Sequence, residues 1–308
     1  MSKKIHLDFL ILGAQKSGTT SLHDWLIQHA DIRLPALKET HFFSHQSRFE
    51  KGMDWYLAQF PVDFRKCTLT GEIDPEYLYI ESAVEKIKQL TDANKFIVVL
   101  RHPLQRAYSH YLMTVRRGFE DLPFDRAIEA EKERLSQFDN AFAIDHQSYI
   151  SRSLYSKQIS RYFSVFPEGE FLFIKFDDLI DKERGSEVYQ RICEFIGTAH
   201  DLSQVDRSKS SNQASSPRWE WIKNLIYRKG QRSLLRKVVR GFISDDAKLK
   251  LFMFIDRLNQ KNLKKYEITP IGNYRLDAKI VSELLEDIDE TERLTGLSLQ
   301  QWKMSLSK

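Results

Sequence analysis

Short apolar runs alternate with amphipathic stretches as far as about residue 200. The runs cover residues 7–12, 96–100 and 171–175, and residues 67–71 carry a weaker signal of the same kind. Runs of this length that are apolar on both faces are typical of strands buried in a sheet. The pattern therefore predicts three buried strands and a fourth with a weaker pattern.

The stretches between these runs carry apolar residues at helical spacing. They predict helices over residues 20–29, 83–90, 103–117, 123–135, 153–166 and 186–196. Strands that alternate with helices form βαβ units, which give a mostly parallel sheet covered by helices. The predicted fold class is therefore α/β, with a mostly parallel central sheet flanked by helices.

The character of the chain changes after residue 205. Residues 206–217 (DRSKSSNQASSP) are polar, rich in serine and end at a proline, which is typical of a loop. Helical or basic amphipathic patterns follow over residues 219–242, 249–258 and 278–294. We interpret residues 1–308 as one domain, with an α/β core over 1–205 and a loop and helices over 206–308.

Composition excludes several classes of protein. The 308 residues hold 47 Lys and Arg against 43 Asp and Glu, and this net charge of +4 permits an anionic ligand without requiring nucleic acid. A hydrophobic share of 42% excludes a disordered chain. No apolar run approaches the roughly 20 residues of a membrane span. Two cysteines, far apart and without a CxxC motif, favour a reducing cytoplasm.

The basic stretch at residues 223–240 holds seven Lys and Arg residues interleaved with apolar ones. Helices packed on the domain with a solvated basic face would produce this pattern. A surface that contacts a membrane or an anionic glycan would produce it as well. The sequence leaves both interpretations open.

A glycine-containing segment, GAQKSGTT at residues 13–20, joins the first predicted strand to the first predicted helix. Glycines let successive N–H groups curl around an anion, and the helix N-terminus adds positive potential. Nucleoside triphosphatases have G-x-x-x-x-G-K-[ST] here, but Thr19 takes the place of that lysine, which argues against a magnesium-dependent ATPase. The candidate anion-binding residues are Gln15, Lys16, Ser17, Gly18, Thr19 and Thr20. A tight turn that binds nothing is the alternative.

A second anion signal, RHPLQRAYSHY, follows the apolar run at 96–100. Arg101 comes directly after the predicted strand, Pro103 can open a helix, and Ser109 lies two turns into that helix. Ligands of open α/β sheets bind at the carboxyl ends of strands, and the fork of an arginine suits a phosphate. A structural salt bridge of Arg101 is the alternative. Together with the glycine segment, this motif indicates a nucleotide with phosphates at two separate positions.

These two motifs resemble those of the sulfotransferases that use 3′-phosphoadenosine 5′-phosphosulfate (PAPS). Residues 13–20 resemble their 5′-phosphosulfate loop, and Arg101 with Ser109 resembles their 3′-phosphate motif. Within that superfamily, residues 38–43 (KETHFF) and 71–77 (GEIDPEY) are similar to the K-E-x-x-F-F and G-E-K-[ST]-P-x-Y segments of the heparan sulfate-type carbohydrate sulfotransferases. Ile73 departs from the second segment, where the family often has a lysine near donor and acceptor.

The resemblance implies a P-loop-like core and a reaction. PAPS would give its sulfuryl group to a hydroxyl or amine of an acceptor, foremost a saccharide, and leave adenosine 3′,5′-bisphosphate, with no metal. Glu39 matches the family's catalytic glutamate and would take the acceptor proton; His41 is the rival base. Lys16 would stabilise the negative charge that builds on the leaving phosphate. Lys38 would contact the donor or the acceptor. Residues 212–218 resemble the loop that closes over the donor in relatives.

Two alternatives remain open at this point. The acceptor could be a small non-sugar metabolite or a lipid. From another class, the chain could be a P-loop nucleotide-binding protein without transferase activity. The sequence predicts neither the position sulfated nor the oligomeric state.

Overall fold

The structure is a computed structural model that describes residues 4–61, 69–199 and 276–307, together with the backbone of residues 215–217 and 260–262. The described residues fall into two compact units. The first unit is drawn from residues 4–106, 152–199 and 277–307, and the second from residues 107–151 with the two short strands at 215–217 and 260–262. The prediction of a single domain stays a prediction.

The elements up to the fourth strand of the sheet are β1 (Phe9–Gly13), α1 (Thr19–Leu26), β2 (Ile32–Arg33), α2 (Gln46–Phe49), α3 (Gly52–Leu57), β3 (Leu69–Ile73), α4 (Glu81–Leu90) and β4 (Lys95–Leu100). The elements after it are α5 (Pro103–Arg116), α6 (Phe124–Ser136), α7 (Ala141–His146), a 3₁₀ turn (Ser151–Ser153), α8 (Tyr155–Val165), β5 (Glu170–Lys175), α9 (Phe176–Ile180), α10 (Arg184–Ile196), β6 (Ser215–Pro217), β7 (Gln260–Asn262), α11 (Ala278–Thr295) and α12 (Gln300–Leu306). Strands and helices alternate as the sequence pattern predicts.

Five parallel strands form the sheet of the first unit, in the order β2-β3-β1-β4-β5. Strand β1 lies at the centre, and β4, whose pattern predicts an interior strand, lies between β1 and β5. All five side chains of the run from Phe96 to Leu100 are buried. The α/β fold class with a mostly parallel central sheet is therefore confirmed.

The core of this unit packs one face of the sheet against α1 and α10. Phe9 and Ile11 of β1 lie in one buried cluster with Leu22 of α1 and Ile192 of α10. Because apolar burial is the dominant favourable term in folding, this cluster fixes α1 over the carboxyl end of β1. The glycine segment is thereby held between a buried strand and a buried helix.

The helices at 278–306 confirm the helical C-terminal part. The Asp287 carboxylate of α11 accepts hydrogen bonds from the N–H groups of Tyr155, at 2.7 Å, and Ser156, at 3.0 Å. Those N–H groups begin α8 and would otherwise lack a partner. The carboxylate of α11 thus caps α8 within the first unit.

The second unit is organised around two buried acids. Glu120 accepts hydrogen bonds from Arg134 and from the hydroxyl of Tyr149, and Glu131 accepts from the N–H groups of Ile150 and Ser151. Strands β6 and β7 pair antiparallel in the same unit. The predicted loop at 206–217 therefore ends in a strand at Ser215–Pro217.

Other predictions lie outside the described residues. They are the basic stretch at 219–242, the helix at 249–258 and the greater part of the predicted loop. In the portion of the chain that the structure covers, no helix combines the length and apolar character needed to cross a bilayer.

Candidate active site

The glycine segment forms a tight loop between β1 and α1. The Ser17 N–H donates to the Ala14 carbonyl at 3.1 Å, and Gly18 is the N-cap residue of α1, with a φ of 86°. A Cβ atom on Gly18 would lie 2.8 Å from Cδ2 of Leu179, so both the backbone and the packing require glycine. The first N–H groups of α1 have no partner inside the helix and give this end positive potential. The loop is therefore suited to bind an anion.

Three buried polar atoms at this loop have no hydrogen-bond partner: Oε1 of Gln15, Oγ of Ser17 and Nε of Arg101. The last two can donate a hydrogen bond. Nη1 of Arg101 donates to the Lys16 carbonyl at 3.1 Å, and its Cζ lies 4.5 Å from the ring centroid of Phe176. An unpartnered buried donor costs free energy, and burial lowers the pKa of Arg101. A phosphate or sulfate oxygen would supply the missing acceptor, so these residues fit an anionic ligand.

Ser109, the partner that the sequence predicts for Arg101, lies in α5 and belongs to the second unit. Its role in phosphate binding stays a prediction.

The KETHFF segment is tied to the loop by Lys38. Nζ of Lys38 donates to Oγ1 of Thr20 at 2.8 Å and to Oε1 of Glu39 at 2.6 Å. Phe42 and Phe43 of the same segment are buried in the core. The Lys38 contacts bring the carboxylate of Glu39 to the N-terminal turn of α1.

Three residues of this region have left-handed backbone conformations without being glycine. Their φ angles are 71° at Lys16, 59° at Glu39 and 54° at His41, and the described part of the chain shows no other non-glycine residue of this kind. Such conformations cost free energy and cluster at functional sites. All three are residues that the sequence singles out for the chemistry.

His41 is paired with the buried carboxylate of Asp74. Oδ2 of Asp74 accepts from the His41 main-chain N–H at 2.6 Å and lies 3.2 Å from the ring Nδ1. Burial lowers the pKa of His41, but the Asp74 carboxylate outweighs it and raises the pKa to about 9. The imidazole therefore carries a positive charge at neutral pH.

His41 also stacks on His45, with 4.8 Å between the ring centroids. Across residues 4–61, 69–199 and 276–307, no three His, Cys, Asp or Glu side chains cluster as a metal site requires. That no metal takes part stays a prediction.

Sequence reasoning missed a buried network below Gln15. Oε1 of Glu76 accepts from Nε2 of Gln15 at 2.7 Å, and Oε2 accepts from Nη1 of Arg152 at 2.6 Å. Burial raises the pKa of Glu76, and the charge of Arg152 outweighs this and lowers it. The network orients Gln15 from the interior side of the loop. Glu76 lies in the GEIDPEY segment, but an acid in a turn carries no signal of its own.

A comparison with known families matches residues 6–266 to the family described as the Sulfotransferase domain. This chain belongs to that family. The human heparan sulfate glucosamine 3-O-sulfotransferase 6 is 31% identical over 192 residues, which cover 61% of this chain and 51% of the relative. The mouse heparan sulfate glucosamine 3-O-sulfotransferase 3B1 is 29% identical over 188 residues, which cover 61% of this chain and 45% of the relative. This chain thus matches about half the length of these relatives.

A solved sulfotransferase from Alicyclobacillus acidocaldarius has the same fold. It superposes with a TM-score of 0.63 at 23% identity, covering 96% of this chain and 98% of that protein. Membership of the sulfotransferase family and the α/β architecture therefore agree.

Ile73 marks where this chain departs from the segment of the family that it resembles. Its side chain is buried in the apolar cluster with Phe9 and Ile11. A lysine could not keep its charge solvated among such neighbours. The position is part of the hydrophobic core here.

Proposed function

We propose that this protein transfers a sulfuryl group from PAPS to a hydroxyl or amine of a saccharide, with adenosine 3′,5′-bisphosphate as the product. The observation that carries the proposal is the Lys38 bridge, which joins the carboxylate of Glu39 to Thr20 at the anion loop. A base and an anion-binding loop thus share one site. The names of the relatives, which act on heparan sulfate glucosamine, support a saccharide acceptor.

The loop and Arg101 suit the two phosphate-bearing ends of the donor. The unpartnered Oγ of Ser17 lies in the loop assigned to the phosphosulfate, and the unpartnered Nε of Arg101 follows β4, where the 3′-phosphate is expected. Ser109 joins Arg101 in this assignment on the strength of the sequence motif. Lys16 stabilises the negative charge that builds on the leaving phosphate oxygen as the S–O bond breaks.

The His41–Asp74 pair favours Glu39 as the base. An imidazolium whose pKa is about 9 holds its proton at neutral pH and cannot take another. Glu39 is partly exposed and carries a carboxylate that can accept the proton of the acceptor. In this assignment His41 is a fixed positive charge beside the acceptor, and Lys38 orients Glu39.

We further propose that the reaction needs no metal and takes place in the cytoplasm. The positive charge of Lys16 and the N–H groups of the loop offset the charge of the donor, so the transfer proceeds without a metal. The scarcity of cysteine, two in 308 residues, suits a cytoplasmic location.

Ligand-induced stabilisation tests the donor assignment. Adenosine 3′,5′-bisphosphate at 100 times its dissociation constant should raise the free energy of unfolding by about 2.7 kcal/mol. ATP with magnesium, at the same concentration, should raise it much less. Equal stabilisation by both would instead support a general nucleotide-binding protein.

Labelled PAPS tests the acceptor class. The protein is incubated with labelled PAPS and, separately, with heparan sulfate oligosaccharides, other glycans, lipids and small metabolites, and the products are identified by mass spectrometry. We expect label on a glycan. Label confined to a lipid or a small metabolite would overturn the saccharide assignment while leaving the donor assignment in place.

A further inference from the structure

Thr40 lies between the two strained residues of the KETHFF segment and is fully buried. Its Oγ1 donates to Oε1 of Glu72 at 2.5 Å and lies 3.2 Å from the hydroxyl of Tyr77. The same Oγ1 accepts from the main-chain N–H of Phe42 at 3.2 Å. The segment is therefore anchored to β3 through the Thr40 side chain.

Glu72 is an unusual residue for the middle of a parallel strand. It is 1% exposed, and its second oxygen accepts from the hydroxyl of Tyr56 at 2.7 Å. Burial and, after it, the neighbouring charge of Asp74 together raise the pKa of Glu72 to about 7, against the hydrogen bonds from Thr40 and Tyr56, which lower it. A buried acid of this kind is costly, and an apolar side chain would fill the space at less cost. Glu72 therefore calls for a role other than stability.

The backbone on either side of Thr40 indicates a role for Glu72 in holding an unfavourable conformation. Glu39 and His41 both adopt left-handed backbone conformations. These are unfavourable for L-residues and persist only where surrounding contacts stabilise them. The hydrogen bond from Thr40 to Glu72 holds the residue between them.

We propose that Glu72 is a positioning residue, which acts through Thr40 to hold Glu39 and His41 in the orientation that sulfuryl transfer requires. The expected effect on catalysis rests on the proposed function. Its structural content, the link from Glu72 to the orientation of His41, can be measured without an acceptor.

Variants at Thr40 isolate the link. Thr40→Val removes the hydroxyl while keeping the branched shape, whereas Thr40→Ser keeps the hydroxyl. Tyr56→Phe is the matched control, because it removes the hydrogen bond to the other oxygen of Glu72 and leaves the one from Thr40 in place. If Thr40→Val fails to fold, Thr40→Ala takes its place.

The readout is the pKa of His41, followed by NMR and assigned from the signal that is lost in His41→Gln. We expect a value of about 9 in the wild type, Thr40→Ser and Tyr56→Phe, and a fall towards 6.5 in Thr40→Val, because the ring would leave Asp74. With the acceptor that the labelled-PAPS experiment identifies, the kcat of Thr40→Val should fall by about 10²-fold. Its affinity for adenosine 3′,5′-bisphosphate should change little.

A Thr40→Val protein that keeps both the pKa of His41 and the kcat of the wild type would overturn the positioning role. A wild type that binds no adenosine 3′,5′-bisphosphate would overturn the proposed function. The pKa measurement would still decide whether Thr40 and Glu72 fix His41.

Discussion

Nη1 of Arg101 donates a hydrogen bond to the main-chain oxygen of Lys16 at 3.1 Å, across 85 positions of sequence. This contact joins the carboxyl end of β4 to the loop that follows β1. The side chain assigned to one phosphate of the donor therefore also fixes the backbone of the residue assigned to the other. The proposed phosphate contacts at the two ends would be coupled through this bond.

Arg101→Ala should weaken binding of adenosine 3′,5′-bisphosphate by about tenfold to 150-fold, the usual worth of hydrogen bonds to a charged group. The affinity of the variant for AMP, which lacks the 3′-phosphate, should fall far less. Only the loss of the hydrogen bond from Arg101 to the loop would contribute to that fall. Calorimetric titration of both ligands measures the difference. Equal losses for the two nucleotides would mean that Arg101 does not read the 3′-phosphate.

Lys16→Ala should lower kcat by about 10²–10³, as the loss of one donor to a developing oxyanion does in other enzymes. Its effect on donor affinity should be smaller, because the charge on the leaving oxygen is largest in the transition state. Steady-state kinetics with PAPS separate the two effects. A mutant with normal kcat and only a raised KM would show that Lys16 binds the donor uniformly.

Glu39→Gln should lower kcat by about 10²–10⁴, the range expected when a general base is removed. Glutamine keeps the size of the side chain and can still contact Lys38, so affinity for the bisphosphate should barely change. His41→Gln should cost less activity. If His41→Gln were inactive and Glu39→Gln nearly normal, the base would be His41.

Stability should depend on pH through His41. Its folded pKa, about 9, lies above the ordinary value of 6.5, so the folded protein binds the proton more tightly than the unfolded chain. The contribution to the free energy of unfolding is therefore complete below about pH 6.5 and is lost as pH rises through about 9. Denaturant unfolding of wild type and His41→Gln should show a difference that shrinks over this window, and Asp74→Asn should lack the same pH dependence. A difference that is constant with pH would contradict the ion pair.

Gly18→Ala should destabilise the protein more than Gly52→Ala does. Both glycines have positive φ, 86° and 79°, which costs about 1–2 kcal/mol for an L-residue. A Cβ on Gly52 meets nothing within 4 Å, whereas one on Gly18 meets Leu179 at 2.8 Å. The difference between the two free energies of unfolding therefore isolates that contact. Equal losses of unfolding free energy in the two variants would show that Leu179 of α9 moves away from the added Cβ at no cost.

Strands could be predicted from the sequence where a run is almost wholly apolar, including β5, which lies at the edge of the sheet and is only partly buried. Residues 96–100 and 171–175 fall inside β4 and β5 because apolar residues on both faces leave few other interpretations. Strand β2, Ile32–Arg33, has two residues and shows no periodicity at all. Its pairing to β3 depends on tertiary contacts that the pattern does not encode.

The site could be predicted in part for a similar reason. Lys16 and Arg101 follow neighbouring parallel strands, and the carboxyl ends of such strands meet at one edge. The pairing of His41 with Asp74 could not be predicted, since it requires left-handed backbone at residues other than glycine. No residue type signals that conformation for Glu or His. Resemblance to a family identified Glu39 and His41, but only the structure shows that Glu39 pairs with Lys38 and His41 with Asp74.

The cap that Asp287 places on α8 has a consequence for the order of events during synthesis. The Tyr155 hydroxyl at the start of α8 donates to the Arg101 carbonyl at 2.8 Å, so the capped helix also supports the arginine that we propose to bind a phosphate. The ribosome delivers β1, β4 and α8 long before it delivers α11. Chains fold progressively from the N-terminus as they emerge, yet this cap must wait for residue 287. A nascent chain would therefore acquire the full support of Arg101 only after residue 287 has been synthesised.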